Sequence, residues 1–506
     1  MVRRILSALS YRKDIIMRKS GILLAISSIP SKYGIGTFSK EAYEFVDFLE
    51  KAGQKLWQIL PLGPTGYGDS PYQSFSTFAG NPYYIDLEEF IEKGFLTEEE
   101  CENSDFLDGA YVDYEKIFYT KFALLKKAYK NSNVKADEDF AEFVKENAKW
   151  LDDYALYMAV KDSLGGISWT EWEEDIKLRK PAAMKAYSDK LADEIVFYQF
   201  QQYYFSKQWK ALKKYANDKG IEIIGDIPIY VAFDSADTWA NPQLFQFDEE
   251  CKPIAVAGCP PDSFSATGQL WGNPLYNWEY MKKTNYAWWV ERIRYCYELY
   301  DVVRIDHFRG FDEYYSIPYG DLTAERGHWE KGPGYELFQT IKKELGKTKV
   351  IAEDLGFLTP TVIKLVEKTG YPGMKVLQFA FDSREESDYL PHNYPKNSVV
   401  YTGTHDNDTT VSWYEAMNRH DKAFAKRYLD APNKNKICEK MIKAVLASVS
   451  DTAIVPMQDY LELGGEARMN MPSTLGTNWK WRLVSEQVNE ELAKKIYSWT
   501  KLYGRL

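Results

Sequence analysis

Three acidic side chains in the second half of the chain have the types and the spacing needed for paired carboxylate catalysis. They are Asp306 in VVRIDHFRG (302–310), Glu353 in KVIAEDLG (349–356) and Asp406 in YTGTHDND (401–408). Retaining glycoside chemistry uses one carboxylate as the nucleophile and a second that alternates between acid and base. Each motif alone also fits a structural role, as an Arg–Asp pair, a loop anchor or a helix cap. Their order and spacing along the chain are what favour a catalytic interpretation.

The sequence neighbours of two of these carboxylates predict opposed charge states. Arg304 and Asp306 lie two residues apart on a predicted strand, so their side chains leave the same face. A guanidinium beside a carboxylate favours the ionised form, which predicts a lowered pKa for Asp306 and an anion at neutral pH. Glu353 follows an apolar run, so desolvation is expected to raise its pKa, as a general acid requires.

The elements that must position these residues are buried strands. Most of the runs rich in Val, Ile, Leu and aromatic residues lack apolar/polar alternation, which is typical of strands buried on both faces of a parallel sheet. The runs span 21–26, 55–62, 221–231, 300–308, 349–356, 374–379, 398–406 and 452–460. Eight such strands predict an α/β fold of the (β/α)₈ barrel type. The three carboxylates follow strands four, five and seven, at the face where barrel enzymes hold their active sites.

Amphipathic helices fit between several of these strands. Residues 40–52 place Ala42, Phe45, Val46 and Leu49 at helical spacing before Gly53. A second helix is predicted to open at Thr359-Pro360 and to stop at Gly370. Its predicted buried face holds Val362, Ile363 and Val366.

Uneven spacing between the strands predicts a barrel over residues 17–506 with two insertions. A mainly helical subdomain is expected at about 88–215, between strands two and three, with helices at 114–130, 138–163 and 185–216. A substrate-loop insertion is expected at about 232–299. Too few residues follow strand eight for a C-terminal β-sandwich, which takes roughly 100 residues. Residues 1–16 are interpreted as a disordered extension or a start-codon artefact, because Met17 directly precedes the first strand.

Composition excludes several classes of protein. The net charge of −11 argues against a nucleic-acid surface, and no run reaches the roughly 18 apolar residues that a membrane helix needs. The five cysteines form no C-x-x-C pair, which predicts reduced thiols and a cytoplasmic protein. No histidine motif, phosphate loop or nucleotide motif is present, so neither a metal nor a cofactor is expected. The aromatic content of 16% fits either a large core or sugar-binding surfaces.

Several longer motifs resemble the 4-alpha-glucanotransferases, also called amylomaltases or disproportionating enzymes, of the wider alpha-amylase clan. These are SGILLAISSIPSKYGIGTF (20–38), GPTGYGDSPYQSFSTFAGNPYYID (63–86), PPDSFSATGQLWGNPLY (260–276), VRIDHFRG, IAEDLG and THDND. The resemblance covers nearly the whole chain from about residue 19. It implies a (β/α)₈ barrel with a three-carboxylate site.

The resemblance also implies a role for each matching residue. Asp306 would be the nucleophile, Glu353 the acid/base, and Asp406 the residue that binds sugar hydroxyls and strains the ring. Arg304 and His405 would flank them, Ser70 and Tyr72 would line the donor site, and Gln269 and Trp271 would belong to a loop folded over the substrate. Asp226 corresponds to the first shared motif of the clan.

Two departures from the pattern bear on these roles. Val231 stands where typical alpha-amylases have a histidine, which favours the glucanotransferase branch. Ser263 stands where the family often has an aromatic residue before the lid residue Phe264, which bears on the lid's contacts with acceptor sugars.

The resulting functional hypothesis is a 4-alpha-glucanotransferase. It would move a segment of an alpha-1,4-glucan to the 4-hydroxyl of glucose or of another glucan through a covalent glucosyl-enzyme on Asp306. The carboxyl groups of Asp306 and Glu353 should then lie about 5–5.5 Å apart. Two alternatives stay open: an amylase-type hydrolase with the same carboxylates, and a non-catalytic glucan-binding protein. Maltooligosaccharides are the expected partners, without nucleic acid or membrane, and the oligomeric state, monomer or homodimer, is left open.

Overall fold

The computed structural model describes most of the chain, in five stretches. They are residues 18–66, 68–104, 109–261, 265–356 and 358–506. The predicted extension at 1–16 and the lid residues Ser263 and Phe264 lie outside the described residues.

Eight parallel strands close into a barrel. The strands of the described chain are β1 (Lys19–Leu23), β2 (Leu56–Gln58), β3 (Glu222–Ile227), β4 (Ala255–Cys259), β5 (Gln269–Pro274), β6 (Val302–Ile305), β7 (Glu313–Pro318), β8 (His328–Lys331), β9 (Val350–Ala352), β10 (Gly373–Val376), β11 (Ser398–Tyr401) and β12 (Thr452–Pro456). The barrel order is β1-β2-β3-β6-β9-β10-β11-β12, with β12 pairing back onto β1. Each predicted run overlaps one barrel strand, which confirms the predicted (β/α)₈ fold.

Helices cover the barrel and form its insertion. In the described residues they are α1 (Lys40–Lys51), α2 (Glu88–Glu92), α3 (Glu98–Glu102), α4 (Tyr114–Asn131), α5 (Glu138–Ser163), α6 (Glu174–Lys177), α7 (Pro181–Lys190), α8 (Ala192–Asp218), α9 (Ala236–Ala240), α10 (Trp278–Lys283), α11 (Ala287–Leu299), α12 (Tyr335–Leu345), α13 (Pro360–Thr369), α14 (Thr410–Ala416), α15 (Arg419–Tyr428), α16 (Ile437–Ala447), α17 (Met457–Tyr460) and α18 (Glu490–Leu502). The connection from β2 to β3 is mainly helical. Its third predicted helix is split into α7 and α8 at Leu191, a break that no glycine or proline marks in the sequence.

The ends of α13 follow from local chemistry. The Thr359 side chain accepts a hydrogen bond from the Val362 N–H, and Gly370 ends the helix with a φ of 72°. The predicted buried face of this helix is wrong at one position. Ile363 is 45% exposed, whereas Leu365 is buried with Val362. Residues three and four apart share a helix face, so the residue next to Val362 is rotated away from the core.

A four-stranded antiparallel sheet stands beside the barrel, in the order β5-β4-β7-β8. Gln269 and Trp271, expected in a loop folded over the substrate, lie instead on β5, which pairs with β4 within residues 255–274. The glycines and prolines there exclude a helix, but they are compatible with a bulged strand pair. A Cβ on Gly258 would lie 2.1 Å from the Gln269 carbonyl oxygen, so the close approach of the two strands requires glycine.

The rest of the described structure also agrees with the sequence. The residues after β12, all of which the structure describes, form helices and loops and no β-sheet module, as predicted. Large aromatic side chains fill the core, and Trp57, Trp209 and Trp289 have no exposed surface. All five cysteines are free thiols. No helix among the described residues combines the length and apolarity that crossing a bilayer requires.

A buried arginine near the end of the chain joins the first and last barrel strands. Arg505 is fully buried and donates to the carbonyls of Leu446 at 2.7 Å, Lys19 at 3.0 Å and Ser450 at 3.0 Å. Lys19 begins β1 and Ser450 precedes β12, so one guanidinium satisfies backbone carbonyls on both sides of this seam. Burial lowers the pKa of Arg505 to about 10.

We expect Arg505→Ala to lower the free energy of unfolding by about 3 kcal/mol, because it leaves several buried carbonyls without donors. Urea denaturation would show a lower midpoint at an unchanged slope. Lys501→Ala, at an exposed position of α18, is the control and should change stability by less than about 0.5 kcal/mol. Equal midpoints for Arg505→Ala and the wild type would contradict this role.

Candidate active site

Arg304 is the centre of the polar cluster at the carboxyl end of the barrel. It is 3% exposed on β6, opposite Asp226 on β3. Its Nη1 donates to both carboxylate oxygens of Asp226, at 2.7 and 2.6 Å, and its Nη2 donates to Asp306 Oδ1 at 3.0 Å. Its Nε donates to the Met374 thioether sulfur at 3.3 Å. Every nitrogen of this buried guanidinium therefore has a partner, which fixes the orientation of the fork.

Asp306 follows β6 directly and is held by its strand neighbours. Its N–H donates to the Ile227 carbonyl at 2.9 Å, and its side chain is 31% exposed. The predicted lowering of its pKa is wrong. Burial raises the pKa of Asp306 to about 6, and the Asp226 and Asp406 charges add to the rise while Arg304 opposes it. The sequence shows that Arg304 is next to Asp306, but it does not show that Asp306 is buried close to Asp226 and Asp406.

Glu353 follows β9, next to the end of β6. Its Oε2 accepts the His307 N–H at 2.7 Å, and its Oε1 accepts the Leu355 N–H at 2.8 Å. His307, the residue after Asp306, reaches this position with a left-handed backbone φ of 51°. One residue thus connects the two carboxylates through the backbone.

The pKa of Glu353 is raised, as predicted. Burial is the largest cause, and the charge of Asp306 adds to it, so that the pKa of Glu353 rises to about 7. The two carboxyls are therefore shifted in the same direction rather than in opposite ones. Glu353 nevertheless keeps the higher pKa, so it is the one protonated first as the pH falls.

Asp406 lies after β11 beside His405. Its Oδ2 is 3.4 Å from His405 Nε2, and its Oδ1 accepts from the Asn470 amide at 2.6 Å. Arg468 donates to the Asp406 carbonyl at 3.0 Å. The Asp406 carboxylate is 42% exposed, so it faces the open mouth of the barrel. Arg468 and Asn470 hold the loop that carries it.

Tyr72 joins this loop to the Arg304 cluster. Its hydroxyl donates to Asp226 Oδ2 at 2.9 Å and lies 2.9 Å from His405 Nε2. Because the single hydroxyl proton goes to Asp226, the His405 Nε2–H is the donor to the tyrosine oxygen. Burial and the Asp226 charge raise the pKa of Tyr72 well above its usual range, so the hydroxyl keeps its proton.

The four-stranded sheet brings Trp271 to the end of the barrel where the carboxylates lie. Trp271 and Gln269 both lie on β5, and the indole Nε1 donates to Gln269 Oε1 at 3.1 Å. The Trp271 and His307 rings make a T-shaped contact at a centroid distance of 4.8 Å. Ser70 lies in the turn before Tyr72, where its hydroxyl accepts the Tyr72 N–H at 3.3 Å. Ser70 thus shapes the turn that carries Tyr72.

Sequence reasoning missed several residues of this cluster. Met374 lies in a predicted strand, but its contact with Arg304 depends on barrel closure. Asn470 lies far along the chain from Asp406, and no local pattern connects the two. In the part of the chain that the structure describes, no group of three or more His, Cys, Asp or Glu side chains is placed to hold a metal ion.

Comparison with known proteins gives long matches. A family model described as 4-alpha-glucanotransferase matches residues 24–487. The 4-alpha-glucanotransferase of Clostridium butyricum is 53% identical over 483 residues, covering 95% of this chain and 99% of the relative. That of Thermus thermophilus is 46% identical over 500 residues, covering 97% and 99%. The solved structure of an amylomaltase from Streptococcus agalactiae in complex with acarbose has a TM-score of 0.94 at 44% identity, covering 96% of this chain and 99% of that one.

Proposed function

The chain belongs to the 4-alpha-glucanotransferase family, and we propose that it transfers alpha-1,4-glucan segments by a retaining double displacement. The observation that carries this proposal is the junction of the two carboxylates, where the N–H of the residue after Asp306 binds Glu353 at 2.7 Å. A nucleophile and an acid/base must act on the same bond from adjacent positions, and retaining enzymes hold them about 5–5.5 Å apart.

In the first step Asp306 attacks the anomeric carbon of the donor glucan. Its Oδ1 accepts from Arg304, so we assign the attack to Oδ2. Glu353 gives its proton to the glycosidic oxygen, the bond from that oxygen to the anomeric carbon breaks, and the reducing-end segment leaves. A glucosyl ester on Asp306 remains.

In the second step Glu353, now ionised, takes the proton from the 4-hydroxyl of an acceptor. The hydroxyl oxygen attacks the anomeric carbon, and the ester bond to Asp306 breaks. Each step inverts the anomeric centre once, so the new alpha-1,4 bond has the original configuration.

The remaining polar groups would bind the donor sugar. Asp406 has an exposed carboxylate fixed by Asn470, which suits it to accept hydrogen bonds from sugar hydroxyls. Those bonds can strengthen as the ring flattens toward the oxocarbenium-like transition state. The rings of His405 and Tyr72 stack at a centroid distance of 5.3 Å between Asp406 and Asp226, and they would orient the Asp406 carboxylate.

Transfer exceeds hydrolysis only if water is kept from the glucosyl-enzyme. We assign that task to β5, whose Trp271 ring contacts the His307 ring beside both carboxylates while its indole N–H is held by Gln269. An acceptor sugar packed on Trp271 would displace water with its own C–H face.

The expected substrates are maltooligosaccharides and longer alpha-1,4-glucans, with glucose as an acceptor and without a cofactor. The free cysteines fit a reducing compartment, and we propose that the enzyme acts in the cytoplasm.

Incubation with maltotriose tests the proposed function directly. Transfer would give glucose together with chains longer than the starting trisaccharide, resolved by chromatography. Shorter chains alone would identify an amylase-type hydrolase, and unchanged maltotriose would identify a glucan-binding protein. Either of these results would refute the proposal.

The pH dependence of kcat/KM is expected to be bell-shaped with a narrow maximum. Asp306 must be ionised, so the rate should rise as the pH increases through about 6. Glu353 must be protonated, so the rate should fall as the pH increases beyond about 7. The profile measured with maltotriose reports two apparent pKa values of the pair. A rate that stays constant from pH 5 to pH 9 would contradict these assignments.

A further inference from the structure

Strands β9 and β10 share the fewest paired residues of any two neighbouring barrel strands, and Glu353 follows directly after β9. The line along which these two strands meet is called the seam below. Their register holds one residue pair, Ala352 with Gly373. Every other neighbouring pair of barrel strands has three or more such pairs. The Ala352 N–H donates to the Pro372 carbonyl at 2.9 Å, and β9 ends at Ala352 while β10 continues to Val376. The acid/base residue thus starts from a strand with little support on its β10 side.

The side chain of Asp354 bridges this seam. Its Oδ1 accepts the Met374 N–H at 2.7 Å, in place of the carbonyl that a longer β9 would offer. The fit is close, because a Cβ on Gly373 would lie 2.3 Å from Asp354 Oδ2. Gly373 therefore leaves the space that the carboxylate occupies. A bond from a backbone N–H to a carboxylate is stronger than one to a neutral carbonyl, which suits a seam with one ladder pair.

The opposite side of Glu353 is held by the backbone of β6 and the turn after it. The Glu353 N–H donates to the Ile305 carbonyl at 3.1 Å, and the Phe308 N–H donates to the Glu353 carbonyl at 3.0 Å. These bonds anchor residue 353 toward Asp306 but not toward β10. The Asp354–Met374 bond supplies that second anchor, one residue further along the chain.

We propose that Asp354 is a positioning residue for Glu353: by bonding the Met374 N–H across the open seam, it holds the acid/base at its distance from the glycosidic oxygen. This inference rests on the proposed function, which makes Glu353 the acid/base. Proton transfer requires heavy atoms about 2.6–3.2 Å apart, so a small displacement of the loop lowers the rate of protonation.

Removal of Asp354 should leave the nucleophile side of the site in place. Met374 also pairs with Val399 on β11, which keeps its sulfur under Arg304. Arg304 in turn is fixed by Asp226 and by Asp306. The expected defect is therefore specific to acid/base catalysis.

Two glycosyl donors, maltotriose and alpha-maltosyl fluoride, distinguish a defect in acid catalysis from a defect in nucleophilic attack. Cleavage of maltotriose needs a proton on the leaving oxygen, whereas fluoride leaves alpha-maltosyl fluoride without one. We expect Asp354→Ala to lower transfer from maltotriose by about 100-fold. Single-turnover release of fluoride, measured with enzyme in excess, should keep the wild-type rate. Asp354→Asn should restore transfer, since its amide oxygen can accept the Met374 N–H.

A matched control lies at the other end of the barrel. The Asp301 carboxylate, next to the start of β6, accepts the Ile223 N–H of β3 at 2.8 Å. Asp301→Ala removes the same kind of bond between neighbouring strands, but it should leave the ratio of the two donor rates unchanged. Gly373→Ala is the second test, because its methyl group displaces the Asp354 carboxylate and should reproduce the selective loss even if Asp354→Ala does not fold.

Equal losses on both donors, or no loss on maltotriose, would overturn the role of Asp354. Glu353→Ala, assayed in parallel, distinguishes this failure from failure of the proposed function. If Glu353→Ala lost transfer from maltotriose and fluoride release from alpha-maltosyl fluoride to the same extent, the acid/base assignment itself would be refuted. If Glu353→Ala shows the difference and Asp354→Ala does not, only the positioning role is wrong.

Discussion

Replacement of Asp306 by Asn is expected to abolish glucan transfer while the barrel stays folded. The amide cannot form the glucosyl ester, so kcat/KM for maltotriose should fall by about 10⁵-fold. Asn keeps the shape of the side chain. Its amide oxygen can accept the hydrogen bond that Arg304 Nη2 donates to Asp306 Oδ1 at 3.0 Å. Chromatography of long incubations is the measurement.

Stability measurements separate this loss from unfolding. The pKa of Asp306 is raised from 3.8 to about 6 in the folded protein, so its protonated form favours folding. That stabilising contribution is complete below pH 3.8 and is lost as the pH rises through 6. At pH 8 the partly buried charge therefore costs stability, and Asp306→Asn should unfold at no lower temperature than the wild type.

Asp301→Asn is the matched substitution for this test. It changes a carboxylate beside the opposite end of β6, where it bonds the Ile223 N–H, and it should retain full activity. An Asp306→Asn enzyme that still disproportionates maltotriose would show that another residue is the nucleophile.

Replacement of Glu353 by Ala is expected to separate the two halves of the reaction. Transfer from maltotriose should fall by about 10³-fold, because the leaving oxygen is no longer protonated. The first release of fluoride from alpha-maltosyl fluoride should proceed near the wild-type rate, since that leaving group needs no acid. The maltosyl-enzyme should then accumulate, because no base activates the acceptor.

Azide provides the control for this variant. It attacks the anomeric carbon without losing a proton, so it should restore turnover of alpha-maltosyl fluoride and yield alpha-maltosyl azide. The alpha configuration would report two inversions, as a double displacement requires. Slow fluoride release, or an azide product of beta configuration, would contradict the assigned mechanism.

The barrel itself could be predicted from the sequence because its signal is local. Continuous apolar runs followed by polar residues marked all eight strands, and Asp306, Glu353 and Asp406 came after the expected ones. Strands β4, β5, β7 and β8 were not predicted. Their stability comes from pairing between segments far apart in the chain, such as Ala257 with Ser316, and β4 and β5 are interrupted by glycines and prolines.

The site was predicted in its residues more than in its energetics. Motifs identified Arg304 and Tyr72, but the hydroxyl that joins Asp226 to His405 depends on three distant segments meeting. The direction of the pKa shift of Asp306 was predicted wrongly, because a neighbouring Arg is visible in the sequence and burial is not. The Asp354–Met374 bond has no sequence signal, since it compensates for a strand register that appears only when the barrel closes.

The central claim, a glucosyl ester on Asp306, is tested most directly by mass spectrometry of the trapped intermediate. Glu353→Ala would be incubated with alpha-maltosyl fluoride, quenched in acid and digested. We predict one maltosyl unit per chain, on the peptide that contains Asp306, and no adduct when Asp306→Asn is added to the same variant. An unmodified protein after fluoride release, or a maltosyl group on Asp406 or any other residue, would contradict the account.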